Sequence, residues 1–312
     1  MMPTSYYKEA REYLTSQGLE IVDCPSAASK EERKAIMAGC DAVIARTELY
    51  TEDMIDGAPD LKIIARAGVG FDKVPVEYCT QKGIWVSFTP QANYIPVAEH
   101  SLGLMIALSH NIARVDKAAK SGNWKIRDQV WGSEVYGKTL GIIGYGRIGR
   151  EFAEMAHSAL HMNIMGYDAF LKPEQFPEYC EVAGTIDEIL RKADYVSIHV
   201  PSTPQTRHMV GLEFCRKMKP TAYIMNCARG DIVDEQGLYE ALSQGVIAGA
   251  GVDVMENEPT LSSPLFELEN FIVTPHTAAL NKETIDRMGY HAAQCVVKVM
   301  NGERPIWPVN KL

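Results

Sequence analysis

The sequence predicts an α/β fold with parallel sheets, divided between two domains. Short, continuously apolar runs alternate with amphipathic segments of helix length along the 312 residues. This alternation is typical of parallel strands whose two faces are covered by crossover helices. A glycine-rich turn at residues 144–149 follows one of these runs near the middle of the chain. Because a domain built around such a turn usually starts with the strand before it, the preceding part of the chain is predicted to form another domain.

Nine apolar runs have the length of a β-strand. Each run alone is too short to be distinguished from a helix, but their regular alternation with helix-length segments favours strands. Their continuous apolar character also fits burial on both sides of a sheet. The predicted strands are 41–46, 61–68, 83–88, 139–144, 162–168, 195–200, 222–227, 247–254 and 271–276.

Segments of helix length lie between these strands. Two long ones, 96–111 and 282–300, are suited to connect the domains, so that the chain would cross between them twice. We therefore predict a discontinuous domain formed by residues 1–93 and 278–312, with a second domain, residues 94–277, inserted into it. The other predicted helices are 146–158, 185–192 and 234–244.

Composition excludes several classes of protein. The net charge is −9 and no long basic run is present, which argues against nucleic acid or an anionic membrane as the main partner. No stretch reaches the roughly 18 apolar residues that span a bilayer, and the first residues lack a signal-peptide pattern. The seven cysteines are scattered singly, without metal-ligand spacing. We expect reduced thiols, no metal site and a cytoplasmic protein.

The glycine-rich turn has the spacing of a dinucleotide-binding fingerprint. Gly144 permits a tight turn, Gly146 lets the backbone approach a pyrophosphate, and Gly149 lets the following helix pack closely on its strand. An ordinary glycine loop could show the same spacing, but Asp168 lies 19 residues after Gly149, at the end of the next predicted strand. An acidic group there suits a ribose 2′-hydroxyl and repels a 2′-phosphate. The sequence therefore predicts a Rossmann-like domain that binds NAD.

Four polar side chains follow later strands of the same domain. Arg229 comes directly after the strand 222–227, Asp253 lies at a strand end with Glu258 five residues on, and His276 follows the last strand. In an open parallel sheet, ligands bind at the carboxyl ends of the strands, so these residues are predicted to lie on the cofactor side.

Each of these residues alone could be a surface charge or a structural side chain. Together, beside a cofactor turn, they supply what hydride transfer requires. An arginine can bind a carboxylate in a bidentate pair, a histidine can move a hydroxyl proton near neutral pH, and a neighbouring glutamate can hold that histidine in its orientation.

Five motifs carry a resemblance to a known family. They are GKTLGIIGYGRIGRE, HVPSTPQTRH, MNCARGDIVDEQGLYEAL, GVDVMENEP and TPHTAA. Through these motifs the sequence resembles the D-isomer-specific 2-hydroxyacid dehydrogenases, and within that family the phosphoglycerate dehydrogenase branch, over nearly the whole chain.

The resemblance implies a role for each candidate residue. Arg229 would bind the substrate carboxylate and carbonyl, His276 would be the acid/base, and Glu258 would be its partner. It implies two Rossmann-like domains, with both chain ends forming the substrate (catalytic) domain, and a homodimer built on the dinucleotide-binding domain. The residues implied to contact NAD are Gly144, Gly146, Arg147, Ile148, Gly149, Asp168, Val200, Pro201, Thr206, Cys227, Ala228, Arg229, Asp253, His276 and Ala278.

The sequence departs from the family pattern at two places. The family usually begins with a strand before the first helix, and here the short N-terminus predicts a strand that is short or missing. The family often has glycine where this chain has Ala278, for which we expect a small effect on cofactor packing and unchanged chemistry.

The identity of the substrate depends on the first predicted domain. The resemblance implies that backbone N–H groups of the loop 66–70, with Gly68, Val69 and Gly70, bind the substrate carboxylate. Arg46 and Arg66 lie at the ends of two predicted strands and are predicted to bind a substrate phosphate, although one or both could instead form surface ion pairs. Tyr94 is predicted to border the same pocket.

Three functions fit the pattern. The first is an NAD-dependent dehydrogenase of D-2-hydroxy acids, with 3-phosphoglycerate as the leading substrate. The second is a hydroxypyruvate or glyoxylate reductase that acts on an unphosphorylated acid. The third is an NAD-sensing binding protein similar to the co-repressors of this fold, which keep the same Arg, Glu and His set. We see neither an added interaction segment nor a basic surface that would favour the third.

Overall fold

The computed structural model describes residues 1–4 and 6–312. The chain forms two compact units. Met1–Asn93 and Ala279–Leu312 make up the terminal unit, and Tyr94–Ala278 make up the central unit. The chain thus leaves the terminal unit once and returns to it once. The second boundary lies one residue after the predicted position.

The terminal unit contains two small parallel sheets. One pairs β1 with β2, and in the other β4 lies between β3 and β5. The strand before the first helix has two residues, so it is short rather than missing, and the predicted strands within 41–46, 61–68 and 83–88 are confirmed. The strands are Met2–Pro3 (β1), Asp23–Cys24 (β2), Ala42–Ala45 (β3), Ile63–Arg66 (β4) and Trp85–Ser87 (β5).

Strand β4 is buried on both faces, as its continuous apolar sequence predicts. Ile63 packs in a cluster with Ala292 and Val296, whereas Ile64 packs in another with Val43 and Met54. Four helices of this unit precede the first crossing: Lys8–Ser16 (α1), Lys30–Met37 (α2), Glu52–Asp56 (α3) and Val76–Gln81 (α4).

The central unit is built on a seven-stranded sheet in which every pair of strands is parallel. Its order is β12-β11-β10-β9-β6-β7-β8. The six strands predicted between 139 and 276 are confirmed, and β8 is an addition. The strands are Thr139–Ile143 (β6), Asn163–Tyr167 (β7), Cys180–Val182 (β8), Tyr195–Ile198 (β9), Tyr223–Asn226 (β10), Gly249–Val252 (β11) and Phe271–Val273 (β12).

Helices connect these strands, and side chains cap several of them. Thr185 Oγ1 accepts the Glu188 N–H at 3.3 Å, and Asp234 Oδ1 accepts the Gly237 N–H at 3.2 Å. The α-helices are Tyr94–Ser109 (α5), Ile112–Lys120 (α6), Arg147–Leu160 (α7), Ile186–Lys192 (α8), Leu212–Cys215 (α9), Glu235–Ser243 (α10) and, in the terminal unit, Lys282–Met300 (α11). The 3₁₀ turns are Trp124–Asp128, Pro173–Gln175, Gly230–Ile232 and Pro264–Glu267.

Two kinds of feature are absent from residues 1–4 and 6–312. None of their helices combines the length and the apolar character that a membrane crossing requires. No three of their His, Cys, Asp or Glu side chains form a group that could hold a metal ion.

Candidate active site

The strand order of the central unit reverses between β6 and β9. From β6 the chain continues to β7 and β8 on one side, and from β9 it continues to β10, β11 and β12 on the other. Such a switch point leaves a crevice outside the carboxyl ends of the two middle strands, which is where open α/β sheets bind ligands. The predicted glycine turn, Asp168, Arg229, Asp253 and His276 all lie after the carboxyl ends of strands in this sheet.

The glycine turn has the close contacts that its sequence predicts. Gly144 has φ +94°, and a Cβ atom there would lie 2.7 Å from the carbonyl carbon and oxygen of His199. A Cβ atom at Gly149 would lie 2.3 Å from the Gly144 carbonyl oxygen. A side chain at position 144 would therefore push the turn away from the end of β9. A side chain at position 149 would push α7 away from the turn. Both positions require glycine for close approach.

The start of α7 is open to a ligand. Gly146 is the N-cap residue and no side chain caps the helix. Apart from Gly146 and its two chain neighbours, no atom of the described residues lies within 4 Å of a Cβ built at Gly146. Gly146 and Arg147 are exposed, and Ile148 is half-buried. The first N–H groups of a 14-residue helix, with the positive end of its dipole, suit a pyrophosphate at this place.

Asp168 is fixed beside this turn by backbone donors. Its Oδ2 accepts the Tyr145 N–H at 2.9 Å, and its Oδ1 accepts the N–H groups of Phe170 and Leu171 at 2.9 and 3.3 Å. The carboxylate is half-buried, and Oδ2 retains a lone pair for another donor. The residues therefore fit the adenosine end of an NAD molecule, with a ribose hydroxyl as the further donor.

The turn that carries Arg229 is held by Asn226, which the sequence analysis did not identify. Asn226 is buried at the end of β10; its Nδ2 donates to the Arg229 carbonyl at 2.8 Å, and its Oδ1 accepts the Ala228 N–H at 3.0 Å. The Arg229 guanidinium donates to the Ala228 carbonyl through Nη1 at 2.6 Å. This network fixes the backbone on both sides of Arg229.

His276 and Glu258 form a direct pair. His276 Nδ1 lies 2.8 Å from Glu258 Oε2, while Glu258 Oε1 accepts the Met255 N–H at 3.2 Å. An ionised carboxylate only accepts hydrogen bonds, so the Nδ1 atom carries the proton and Nε2 is left to exchange protons with a ligand. The side chain of His276 is 45% exposed, so a ligand can reach it.

Asp253 organises the segment that presents His276. Its buried carboxylate accepts hydrogen bonds from Thr274 Oγ1 at 2.5 Å and from the N–H groups of Thr277 and Ala278 at 2.8 and 2.9 Å. His100, on α5, extends this network, with Nε2 at 2.8 Å from Thr274 Oγ1. No sequence signal pointed to His100 or Thr274, because the network joins segments that are distant in the chain.

The other residues implied to contact NAD also follow strands. Val200 and Pro201 follow β9, where Thr206 Oγ1 donates to the Pro201 carbonyl at 2.7 Å and closes the loop. Cys227 is buried, and burial raises the pKa of its thiol to about 12, so it is a neutral side chain here.

In the terminal unit, the structure brings Arg46 and Arg66 to the same edge of a sheet. Arg66 is the last residue of β4 and pairs with Ala45, the residue before Arg46. The Arg46 guanidinium lies 4.3 Å from the centre of the Tyr6 ring, and Arg66 Nη1 donates to the Ala67 carbonyl at 2.5 Å. The two predicted phosphate ligands are therefore neighbours, but Arg66 folds back onto its own loop.

The loop 66–70 offers fewer donors than predicted. The Gly68 N–H already donates to the Arg66 carbonyl at 3.0 Å, and the Gly68 carbonyl accepts the Thr89 N–H at 2.9 Å. The half-buried Val69 and Gly70 have no backbone acceptor for their N–H groups among the described residues. Tyr94 is half-buried and opens α5, in the central unit.

Comparisons with known proteins agree with this geometry. Residues 102–278 match the family model for the D-isomer specific 2-hydroxyacid dehydrogenase, NAD binding domain. A D-3-phosphoglycerate dehydrogenase of Methanocaldococcus jannaschii is 42% identical over 90% of this chain and 54% of its own length. A glyoxylate reductase of Pyrococcus furiosus is 36% identical over 85% of this chain and 80% of its own length.

A solved structure is similar throughout. The TT0316 protein from Thermus thermophilus has a TM-score of 0.90 and 31% identity, with 99% of each chain covered. This chain spans about half the length of the D-3-phosphoglycerate dehydrogenases it matches. The family model covers more than half of the chain and coincides with the unit that carries the glycine turn, Arg229, Glu258 and His276. The chain therefore belongs to the D-isomer specific 2-hydroxyacid dehydrogenase family and carries the NAD-binding domain of that family.

Proposed function

We propose that this protein is an NAD-dependent oxidoreductase that interconverts a D-2-hydroxy acid and its 2-keto acid, with 3-phosphoglycerate as the hydroxy acid. The observation that carries the proposal is the His276–Glu258 pair, 2.8 Å apart, in the same unit as Arg229 and the glycine turn. Bound NAD supplies the acceptor or donor of the hydride at its nicotinamide ring. The remaining chemistry belongs to side chains of this chain.

His276 moves the proton. When C2 of the hydroxy acid loses its hydride, Nε2 of His276 takes the proton of the hydroxyl group, and in the reverse direction it returns that proton. Glu258 binds the Nδ1 proton, which fixes the tautomer and stabilises the imidazolium that forms.

Arg229 orients the substrate. Its guanidinium would bind the carboxylate next to the reacting carbon and the oxygen on C2 itself, which would orient C2 for hydride transfer. The hydrogen bonds of Asn226 to both sides of Arg229 support this role, because they fix the backbone from which the guanidinium extends.

Arg46 and Arg66 bind the distal phosphate of the substrate. Their neighbouring positions at the ends of β3 and β4 and their two positive charges support this assignment. The similarity to D-3-phosphoglycerate dehydrogenases over most of the chain supports it independently. The half-buried backbone N–H groups of Val69 and Gly70 are the proposed donors to the substrate carboxylate.

An unphosphorylated acid is the alternative substrate. Two observations favour it. One is the similarity to a glyoxylate reductase of Pyrococcus furiosus, and the other is the hydrogen bond that Arg66 Nη1 donates to the Ala67 carbonyl. Oxidation of NADH with 3-phosphohydroxypyruvate, hydroxypyruvate and glyoxylate separates the two. We expect the highest kcat/KM for the phosphorylated acid. An equal or higher value for hydroxypyruvate or glyoxylate would establish the alternative, and no turnover of any of the three would refute both.

The protein is also proposed to act as a homodimer. In the central unit, Trp124 is 72% exposed and Trp131 is 82% exposed, with exposed Tyr136 close by in sequence. Exposed aromatic residues in one short segment are typical of protein interfaces. Analytical ultracentrifugation should give the mass of a dimer, and Trp131→Glu should shift the population towards the monomer. The cytoplasm is the proposed compartment, since the seven cysteines are free and buried.

A further inference from the structure

Arg46 lies on the ring of an aromatic residue from another segment. Its guanidinium carbon is 4.3 Å from the centre of the Tyr6 ring, within the range of a cation–π contact. The Arg46 backbone N–H donates to Glu48 Oε2 at 2.9 Å, which holds the main chain at the base of the side chain. A guanidinium carries five N–H donors in its own plane, so a contact with a ring on one side leaves donors able to bind an anion.

Tyr6 itself is held in place by a second arginine. Arg11, on α1, donates from Nε to the Tyr6 carbonyl at 3.1 Å and from Nη2 to the Pro3 carbonyl at 2.8 Å. The same side chain is paired with Asp23, at β2. The main chain at Pro3 and at Tyr6 is therefore tied to α1 and, through Asp23, to β2, which holds Tyr6 in place as a platform for Arg46.

The neighbouring Tyr7 strengthens this platform. Its ring centre lies 5.9 Å from that of Tyr6, and Tyr7 is 1% exposed. A Cβ atom at Gly289 would lie 2.4 Å from the Tyr7 ring, so this ring packs directly against the backbone of α11. The packing fixes the chain on the other side of Tyr6.

Both candidate phosphate ligands act on Tyr7, together with the carboxylate of Glu48. Burial raises the pKa of Tyr7 to about 12, the positive charges of Arg46 and Arg66 lower it, and the negative charge of Glu48 raises it. The Tyr7 hydroxyl is buried and has no hydrogen-bond partner among the described residues. The charges of both arginines therefore act on the phenol that neighbours Tyr6.

We propose that Tyr6 is a positioning residue that determines specificity for phosphorylated substrates, by holding the Arg46 guanidinium in the orientation that binds the distal phosphate. This inference rests on the proposed function, in which Arg46 is a phosphate ligand. A free arginine side chain has many rotamers, and ordering it when substrate binds costs affinity. The Tyr6 ring orders it beforehand.

The test uses the full-length protein with NADH and two keto acids, 3-phosphohydroxypyruvate and hydroxypyruvate. Tyr6→Leu should raise the KM for the phosphorylated acid about three- to tenfold, which corresponds to the loss of a cation–π contact. The kcat for both acids and the KM for hydroxypyruvate should stay within about twofold. Tyr6→Phe keeps the ring face and should restore the original KM.

A matched control and a double variant test whether the change in KM caused by Tyr6→Leu arises through Arg46. Tyr13 lies on α1 of the same unit, and its ring centre is 5.2 Å from that of Tyr290. Tyr13→Leu should leave both KM values unchanged. Because Tyr6 acts through Arg46, the variant with both Tyr6→Leu and Arg46→Ala should have the same KM as Arg46→Ala alone. Tyr6→Met, which fills the space without an aromatic face, replaces Tyr6→Leu if the latter does not fold.

Different results would overturn the inference and the proposed function. If Arg46→Ala raises the KM only for the phosphorylated acid while Tyr6→Leu does not, the positioning role of Tyr6 is wrong. The same conclusion follows if Tyr6→Phe behaves like Tyr6→Leu, or if the effects of Tyr6→Leu and Arg46→Ala add independently. If Arg46→Ala changes neither KM, or both equally, the assignment of Arg46 as a phosphate ligand fails first.

Discussion

His276 Nδ1 lies 2.8 Å from Oε2 of Glu258, and the other carboxylate oxygen of Glu258 accepts the Met255 N–H. The carboxylate is thus anchored on one side by the backbone of its own loop and binds the imidazole on the other. This arrangement leaves Nε2 of His276 as the ring nitrogen available to the proposed substrate.

Weakening this pair should slow the chemical step. Glu258→Gln keeps the side-chain size but removes the charge that stabilises the imidazolium, so we expect kcat to fall about 10- to 100-fold, less than the full acid/base contribution. Glu256→Gln is the matched control, because Glu256 lies in the same loop as Glu258 and also pairs with a histidine. Its Oε1 lies 2.9 Å from Nε2 of His208. The control should keep kcat within about twofold, whereas similar losses in both variants would contradict a specific role for Glu258.

Asp168 should set the preference between cofactors. A 2′-phosphate beside this carboxylate costs more than about 1.4 kcal/mol, so we expect kcat/KM for NADH to exceed that for NADPH at least roughly tenfold. Asp168→Asn removes the charge and keeps one oxygen, which can still accept the N–H groups of Phe170 and Leu171 but not that of Tyr145, and it should reduce this ratio. Equal kcat/KM values in the unmodified protein would refute the assignment.

Arg229 and Arg66 should respond differently to substitution. In the proposed mechanism Arg229 orients the reacting carbon, so Arg229→Lys should lower kcat and raise KM for both phosphorylated and unphosphorylated acids. Arg66→Ala should raise only the KM for 3-phosphohydroxypyruvate, by about 10- to 150-fold, the equivalent of a charge-assisted contact of roughly 1.5–3 kcal/mol. An equal rise with hydroxypyruvate would show that Arg66 does not bind a phosphate.

The buried His199 should make stability depend on pH. Burial lowers the pKa of His199 to about 4, below its ordinary value of 6.5, so the unfolded chain binds a proton between these values that the folded chain does not. The contribution of His199 to the free energy of unfolding is therefore fully present above about pH 6.5. It is lost, by up to about 3 kcal/mol, as the pH decreases to about 4.

Denaturant unfolding between pH 7 and pH 4 measures this dependence. His199→Gln can still meet Ser197 Oγ, which lies 2.9 Å from His199 Nε2, and it should flatten the pH dependence. His110→Gln, at an exposed position, is the control and should leave the slope unchanged. A slope that persists fully in His199→Gln would assign the effect to other groups.

Local sequence patterns predicted the parts of the structure that depend on neighbouring residues. The contacts of Gly144 and Gly149 follow from the spacing of the turn, and nine strands could be recognised because they are continuously apolar. Strands β2 and β8 were not predicted, since two or three residues that include Asp23 or Glu181 form no apolar run. Their pairing depends on the neighbouring strand instead.

Tertiary contacts explain what the sequence analysis did not identify. Asn226 fixes the Arg229 turn, and His100 joins the network of Asp253 and Thr274 from a helix more than 150 residues earlier in the chain. The return of Arg66 to the Ala67 carbonyl and the contact of Arg46 with Tyr6 depend on side-chain rotamers, which residue spacing does not determine.

The turnover of His276→Ala tests the central claim most directly. The variant should reduce 3-phosphohydroxypyruvate with a kcat about 10²- to 10⁴-fold below that of the unmodified protein, the usual contribution of a positioned acid/base. NADH binding, measured by the fluorescence of the bound cofactor, should be nearly unchanged. This result would show that the central unit is folded. A kcat close to that of the unmodified protein would mean that His276 is not the acid/base and would contradict the proposed mechanism.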